Sequence, residues 1–307
     1  MAQLTTTREP VVQEAPRQRA RVVFLVTALG AFMASLDLSI VNVAFPALER
    51  SFPHDPSAAL AWVIIGYGIV FGSLLVIAGR TADRLGSRRV FFTGLGIFCL
   101  GSALCGFAPS VLLLVLGRLI QGVGAAALLP ASLSLLLDAF PVERRSQVVA
   151  LWGGVGALAV ATGPSFGAAL ITVGGWRWAF FVNLPIGAVA LLTGRRALSK
   201  SIPRRPDARP DYLGALLIAL SLGSLVLGIS QGPTWGWTSV RIIASFAIAL
   251  FVGTIFLFRS ARHPEPVLDL TLFRTRSFSV ANLAMFLYAM GFFAMLLGNI
   301  LFLTSVW

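Results

Sequence analysis

The chain has 307 residues, is 57% hydrophobic and only 12% charged, and has a mean hydropathy of +0.86. Soluble domains carry about 25% charged residues, so too little polar surface is available to clothe a water-soluble globule, and the same figures exclude disorder, collagen and coiled coil. The net charge of +12 comes from 24 basic and 12 acidic residues, but the arginines cluster between apolar runs, a pattern of membrane topology rather than of a nucleic-acid-binding face.

After a polar tail (1–21), nine apolar runs predict an all-α, polytopic transmembrane bundle. They cover 22–48, 58–78, 90–107, 111–137, 148–173, 178–193, 213–230, 242–258 and 278–306, each near the ~20 residues a bilayer requires. The first run continues too far past the small residues at 31–34 to be a cleaved signal peptide. Pro109 separates the third run from the fourth. Four domains follow the tail: a six-span unit at 22–198, a basic, proline-bearing cytoplasmic linker at 199–211, two further spans with their loop at 212–277, and a ninth span at 278–307. Pro203, Pro206 and Pro210 make the linker extended. The odd number of spans and the abrupt end at Trp307 suggest a truncated chain.

Orientation follows from Lys and Arg, which accumulate in cytoplasmic loops. Twenty of the 24 fall on the side of the N-terminus, three (Arg50, Arg177 and Arg241) on the other, and Arg118 lies within a span. The expectation is a multi-pass cell-membrane (plasma or inner) protein with a cytoplasmic N-terminus. Trp62, Trp176, Trp178, Trp235 and Trp237 then fall near the outer interface, where indole rings are favoured. Cys99 and Cys105, six residues apart, point in different helical directions and predict no disulfide and no metal site. His54 and His263 lie far apart in polar loops.

Of the twelve acids only Asp37 lies well inside a span. An ionisable group there costs about 2.5–3.5 kcal/mol on insertion scales and normally faces a cavity or a partner. Asp37 is nine residues from Pro46, and Arg118 is seven from Val111. At roughly 1.5 Å per residue both sit about 10–13 Å from the same membrane face. The expected role is a proton or cation site lining a water-filled path, with Asn42 and Gln121 adding hydrogen bonds; a static ion pair is the alternative. A carboxylate in low dielectric gains proton affinity and a guanidinium lowers it, so moving one against the other switches the proton.

Small residues line the fifth run. Ala159, Gly163 and Gly167 recur every four residues, which permits close helix approach, and Pro164 permits a bend. Together with Gly156 they predict a packing face or hinge. The stretch 79–89 carries Gly79, Asp83, Arg84, Gly86, Arg88 and Arg89 and reads as a cytoplasmic loop latch, with Gly86 allowing a tight turn. Two dinucleotide-like stretches, Gly122–Ala127 and Gly154–Ala159, belong to no βαβ unit and are rejected.

These segments resemble the major facilitator superfamily, specifically its fourteen-span drug:proton antiporter branch (EmrB/QacA type). Leu36 to Pro46 looks like that branch's first-helix motif, Gly79 to Arg89 like the family's loop motif, and Arg118 to Gly124 like its fourth-helix motif. Gly156 through Gly167 is similar to the fifth-helix antiporter motif, although Ala168 replaces a usual second glycine. Residues 176–187 and 266–274 also look like this branch. The resemblance implies two six-helix bundles with two helices inserted between them. It further implies proton-driven export of an amphipathic or cationic small molecule by alternating access, with Asp37 and Arg118 in the proton path. The proton gradient would be the energy source, with no cofactor, no enzymatic activity and no nucleic acid. The alternative is a truncated, non-transporting membrane fragment or scaffold.

Overall fold

The computed structural model describes residues 14–198, 211–264 and 266–306. The first part of the N-terminal tail and nearly all of the basic linker lie outside the described residues. Ten α-helices follow one another: α1 (Glu14–Ser51), α2 (Ser57–Leu85), α3 (Ser87–Gly106), α4 (Val111–Ala139), α5 (Val142–Gly174), α6 (Trp178–Phe181), α7 (Asn183–Ala197), α8 (Tyr212–Trp235), α9 (Val240–Ser260) and α10 (Arg276–Val306), with a 3₁₀ turn at Leu270–Arg274 before the last. Eight segments up to Ser260 are long and apolar enough to cross a membrane, with α6 and α7 counting as one. Helices are the expected solution, because backbone groups in lipid must be satisfied within the segment.

Helix ends depart from the predicted runs where polar residues continue the helix. α1 starts well before residue 22, carrying exposed Gln18, Arg19 and Arg21. The sixth span is broken at Val182. Pro185 has no N–H to offer the carbonyl of Phe181, four residues earlier, which separates α6 from α7. The expected loop at 79–89 is almost wholly helical: α2 runs to Leu85 and α3 starts at Ser87. The break is Gly86 alone, at φ 90°, a conformation that glycine adopts without a Cβ clash.

α3 and α4 make the most extensive helix pair. A Cβ on Gly101 would lie 2.6 Å from the backbone nitrogen of Gln121, and one on Gly94 would lie 3.0 Å from the carbonyl oxygen of Gly124. Gly117 and Gly124 on α4 are likewise pressed against Cys105 and Phe98. Lipid gives no hydrophobic drive for helix association, so such close packing is the main source of adhesion. α5 lies along α1, with Gly163 against Ser39 and Gly167 against Ile40. The Trp152 indole N–H donates to Thr27 O (3.2 Å) and the Ser39 hydroxyl to Val160 O (2.9 Å).

α8 and α9 form a hairpin that packs through α8 onto α2. Ser73 donates to Ala219 O (3.3 Å), and Arg80 donates to Val267 O (3.2 Å) and Pro266 O (2.8 Å). α10 meets the 3₁₀ turn, and most of its described side chains are exposed. Among the aromatic residues placed at the outer interface, Trp178 and Trp237 are about half exposed. Trp176 is buried instead: its N–H donates to Ser51 Oγ (3.0 Å), and its ring meets Phe180 edge-on. The α5–α6 connection folds inward there, using Gly175 at φ 76°.

Candidate functional site

Among the described residues, the core of α1–α7 divides into two apolar clusters stacked along the bundle axis. One contains Met33, Tyr67, Phe98, Leu128 and Ala190. The other contains Leu36, Val63, Cys105, Leu114 and Phe180. On α1, α3, α4 and α7 the change from one cluster to the other falls at a buried polar residue: Asp37, Ser102, Arg118 with Gln121, and Asn183. A polar layer is thus held between two apolar ones.

Asp37 and Arg118 form a salt bridge, Nη1 to Oδ2, at 2.5 Å. Arg118 Nη1 also donates to Gln121 Oε1 (2.8 Å), and its Nε donates to Val63 O (2.8 Å). The guanidinium stacks on the Tyr67 ring, 4.0 Å from its centroid. Gln121 Nε2 donates to Asp37 Oδ1 at 2.8 Å and Asn183 Nδ2 donates to the same oxygen at 3.1 Å. Both amides also reach Ser102 Oγ, whose hydroxyl donates to Phe180 O (2.8 Å). The close approach of α3 to α4 at Gly101 brings Ser102 within reach of Gln121. The carboxylate therefore accepts three charge-assisted or amide hydrogen bonds, from α4 twice and from α7 once.

The predicted site residues divide. Asp37, Arg118 and Gln121 meet at one point, as their depths require. Asn42 does not join them: it is exposed, and its amide donates to Leu38 O (2.7 Å) on its own helix. Five residues rotate a helix by about 140°, which turns Asn42 away from the Asp37 face. The expected water-filled path is also not open here. Asp37, Gln121 and Asn183 have 0% exposure and Arg118 has 1%, so the group is a closed network rather than a cavity lining.

On α5, Gly163 and Gly167 are buried against α1, Gly156 faces Ser35, and the helix continues through Pro164. In the 79–89 segment Gly79 faces Pro130 of α4. Arg88 donates to Arg195 O (3.3 Å) and lies over Phe92, Arg89 is exposed, and Asp83 and Arg84 are engaged in further contacts. Arg80, not singled out from the sequence, is the residue that grips the segment after α9.

Tyr67, Ser102 and Asn183 were also not singled out for the site. A lone serine or tyrosine in an apolar run gives little signal. Asn183 is an amide five residues inside the sixth run, and a polar side chain within an apolar run is the signal that was available. Among the described residues no group of three or more His, Cys, Asp or Glu is placed to hold a metal ion.

A membrane-spanning helical bundle with a buried acid–base pair at its centre defines a class of polytopic membrane protein. The family model of the Major Facilitator Superfamily matches residues 27–307, and the chain belongs to that family. It is 37% identical over 283 residues to the methylenomycin A resistance protein of Bacillus subtilis, covering 92% of this chain and 60% of that protein. It is 36% identical to the multidrug resistance protein Stp of Mycobacterium tuberculosis, with coverage of 92% and 52%. The tetracenomycin C resistance and export protein of Streptomyces glaucescens is 32% identical, with coverage of 94% and 53%. The chain thus spans about half to three-fifths of the length of these relatives. Among solved structures, the POT family transporter PepTSo superposes with a TM-score of 0.55 at 19% identity, covering 84% of this chain and 57% of that one. That likeness is one of fold.

Proposed function

We propose that this chain forms the proton-coupling portion of an efflux antiporter for drug-like amphipathic or cationic compounds, of the fourteen-span drug:proton branch. In this reading α1–α7 are the first bundle, α8–α9 the inserted pair and α10 the start of the second bundle. The N-terminus is cytoplasmic and the host is the cell membrane. Relatives named for resistance and export support the substrate class. The observation that carries the proposal is the convergence of Arg118, Gln121 and Asn183 on one buried carboxylate.

The closed network suits Asp37 as a carboxylate, since every neighbour directed at it donates. Protonation replaces an acceptor lone pair with an O–H, and a guanidinium has no lone pair to receive it. Arg118 keeps Val63 O and Gln121 Oε1 as acceptors, so it can leave Asp37 without being stranded. Proton binding therefore loosens α1 from α4, and proton release draws them together. A cationic substrate beside Asp37 competes with Arg118 for the same charge. Rocking of one bundle against another then exposes the site to either side.

Ethidium efflux, driven by an imposed proton gradient in vesicles carrying the protein, tests the proposal. Asp37→Asn is expected to insert normally and to lose gradient-driven efflux. Undiminished efflux by that variant defeats the assignment, and ethidium binding without flux by the unaltered protein favours a non-transporting scaffold.

A further inference from the structure

A second candidate site lies at the other end of α1 from Pro46. α1 and α7 run antiparallel, since Arg19 meets Ala197 at one end and Asp37 meets Asn183 further along. Gly194 lets α7 settle against its neighbours, with Val26 of α1 and Phe92 of α3 both just over 3 Å from where a Cβ would stand. Beside this contact a groove of about 560 Å³ opens between the helices, lined by Gln18, Arg19, Val22, Leu192, Thr193, Arg196 and Ala197.

The groove has a cationic mouth and an apolar trough. Arg19 is fixed at the mouth, its Nε donating to Ala197 O at 3.2 Å. Arg196 is exposed, and its side chain makes no hydrogen bond among the described residues. Among the described residues lining the groove none is acidic. Along the same faces, Leu192 and Val189 stand four and seven residues before Arg196, while Val22 and Leu25 stand three and six after Arg19. Leu25, Val189 and Leu192 are all more than half exposed. Val22 shares a face with Arg19 and Leu25 with Val22, as Leu192 and Val189 do with Arg196, so the apolar surface continues from the charged end of the groove toward the bilayer centre. A charge that serves topology needs only water around it. A pair of guanidinium groups heading an apolar trough matches an amphiphile with an anionic head.

We propose that this groove binds an anionic glycerophospholipid, its phosphate between Arg19 and Arg196 and an acyl chain along Val22, Leu25, Val189 and Leu192. Guanidinium forks suit phosphate oxygens, and basic pockets between membrane helices are a known way of selecting acidic head groups. The site requires only that the helices lie in a bilayer. It does not depend on transport or on the orientation of the chain.

The test is lipid retention by the purified 307-residue chain in detergent. Bound lipid is counted by native mass spectrometry after titration with phosphatidylglycerol or with phosphatidylcholine of the same acyl chains. Phosphatidylglycerol is expected to bind about tenfold more tightly, the worth of one charge-assisted contact. Arg196→Gln, which removes no described hydrogen bond, is expected to abolish that preference. Arg144→Gln, an exposed arginine outside the groove, is expected to leave it intact. Glycerol phosphate is expected not to displace the lipid at equal concentration. Equal retention of the two lipids by the unaltered chain, an unchanged preference in Arg196→Gln, or displacement by glycerol phosphate at equal concentration overturns the proposal.

Discussion

Arg118 holds three acceptors at once and an aromatic face. Nε takes Val63 O, Nη1 takes Asp37 and Gln121, and the flat guanidinium covers Tyr67. A lysine ammonium is a point charge with tetrahedral donors and cannot reproduce that fork and stacking. Arg118→Lys is therefore expected to leave the chain inserted but to shift the pH dependence of ethidium efflux. A wild-type pH profile in that variant argues against a proton role for the pair. Asp37 and Arg118 were legible in the sequence because a charge in an apolar run costs several kcal/mol and needs a reason. Asn183 and Ser102 were not, because uncharged polar groups are tolerated in membrane helices at much lower cost. Asn42 does not reach the site because five residues turn it to the other side of α1.

Packing between elements offers a cleaner contrast. Gly101 meets the backbone of Gln121, whereas Gly96 on the same helix is exposed with nothing near its missing Cβ. Gly101→Ala should lower stability by about 1–3 kcal/mol, the usual cost of overpacking. Gly96→Ala should be neutral or stabilise by up to about 1 kcal/mol, through helix propensity. Thermal unfolding in detergent checks both, and equal melting points for the two variants would contradict the close packing of α3 on α4. The seven-residue spacing of Gly94 and Gly101, and of Gly117 and Gly124, carries this information in the sequence, beside the denser glycine pattern of α5.

The α8–α9 hairpin carries its own electrostatic staple. Asp211 caps α8 by accepting from Gly214 N (2.8 Å), and Arg259 Nη2 donates to the same carboxylate (2.8 Å). Burial alone would raise the Asp211 carboxyl. The Arg259 hydrogen bonds, the Gly214 N–H and the charges of Arg259 and His263 outweigh that and hold it below its ordinary 3.8. A carboxyl lowered by folding stabilises the fold above its unfolded value, and that contribution fades as pH falls through the folded one. The melting-point difference between the unaltered chain and Arg259→Gln should therefore be largest near pH 7 and should shrink below about pH 4. A difference independent of pH would assign the staple no electrostatic role.

For the whole molecule, charge asymmetry, span order and helix lengths agree with a bundle that crosses the membrane repeatedly. With Cys99 and Cys105 left in place in the core, an impermeant thiol reagent applied to intact cells should label Ser239→Cys and spare Arg144→Cys. The reverse result inverts the proposed topology. Eight of the nine expected runs, in their order, coincide with helices long and apolar enough to cross a membrane, and they were legible because apolar length is set by bilayer thickness. The seating of α8 against α2, the grip of Arg80 on residues 266–267 and the inward turn of Trp176 were not. Each joins parts far apart in the chain, and hydropathy carries no information about which faces meet.

The account rests on Asp37 exchanging a proton inside a closed polar layer. Infrared difference spectroscopy of the purified chain across pH reads that exchange directly, as the carboxylic acid C=O stretch of a buried acid. On acidification the unaltered chain is expected to gain a buried carboxylic acid band that is missing in Asp37→Asn, together with amide shifts from Gln121 and Asn183 as their acceptor is lost. Identical difference spectra for the two proteins, with no Asp37 band at any pH at which the bundle stays folded, would make the pair a permanent strut and contradict the proposal.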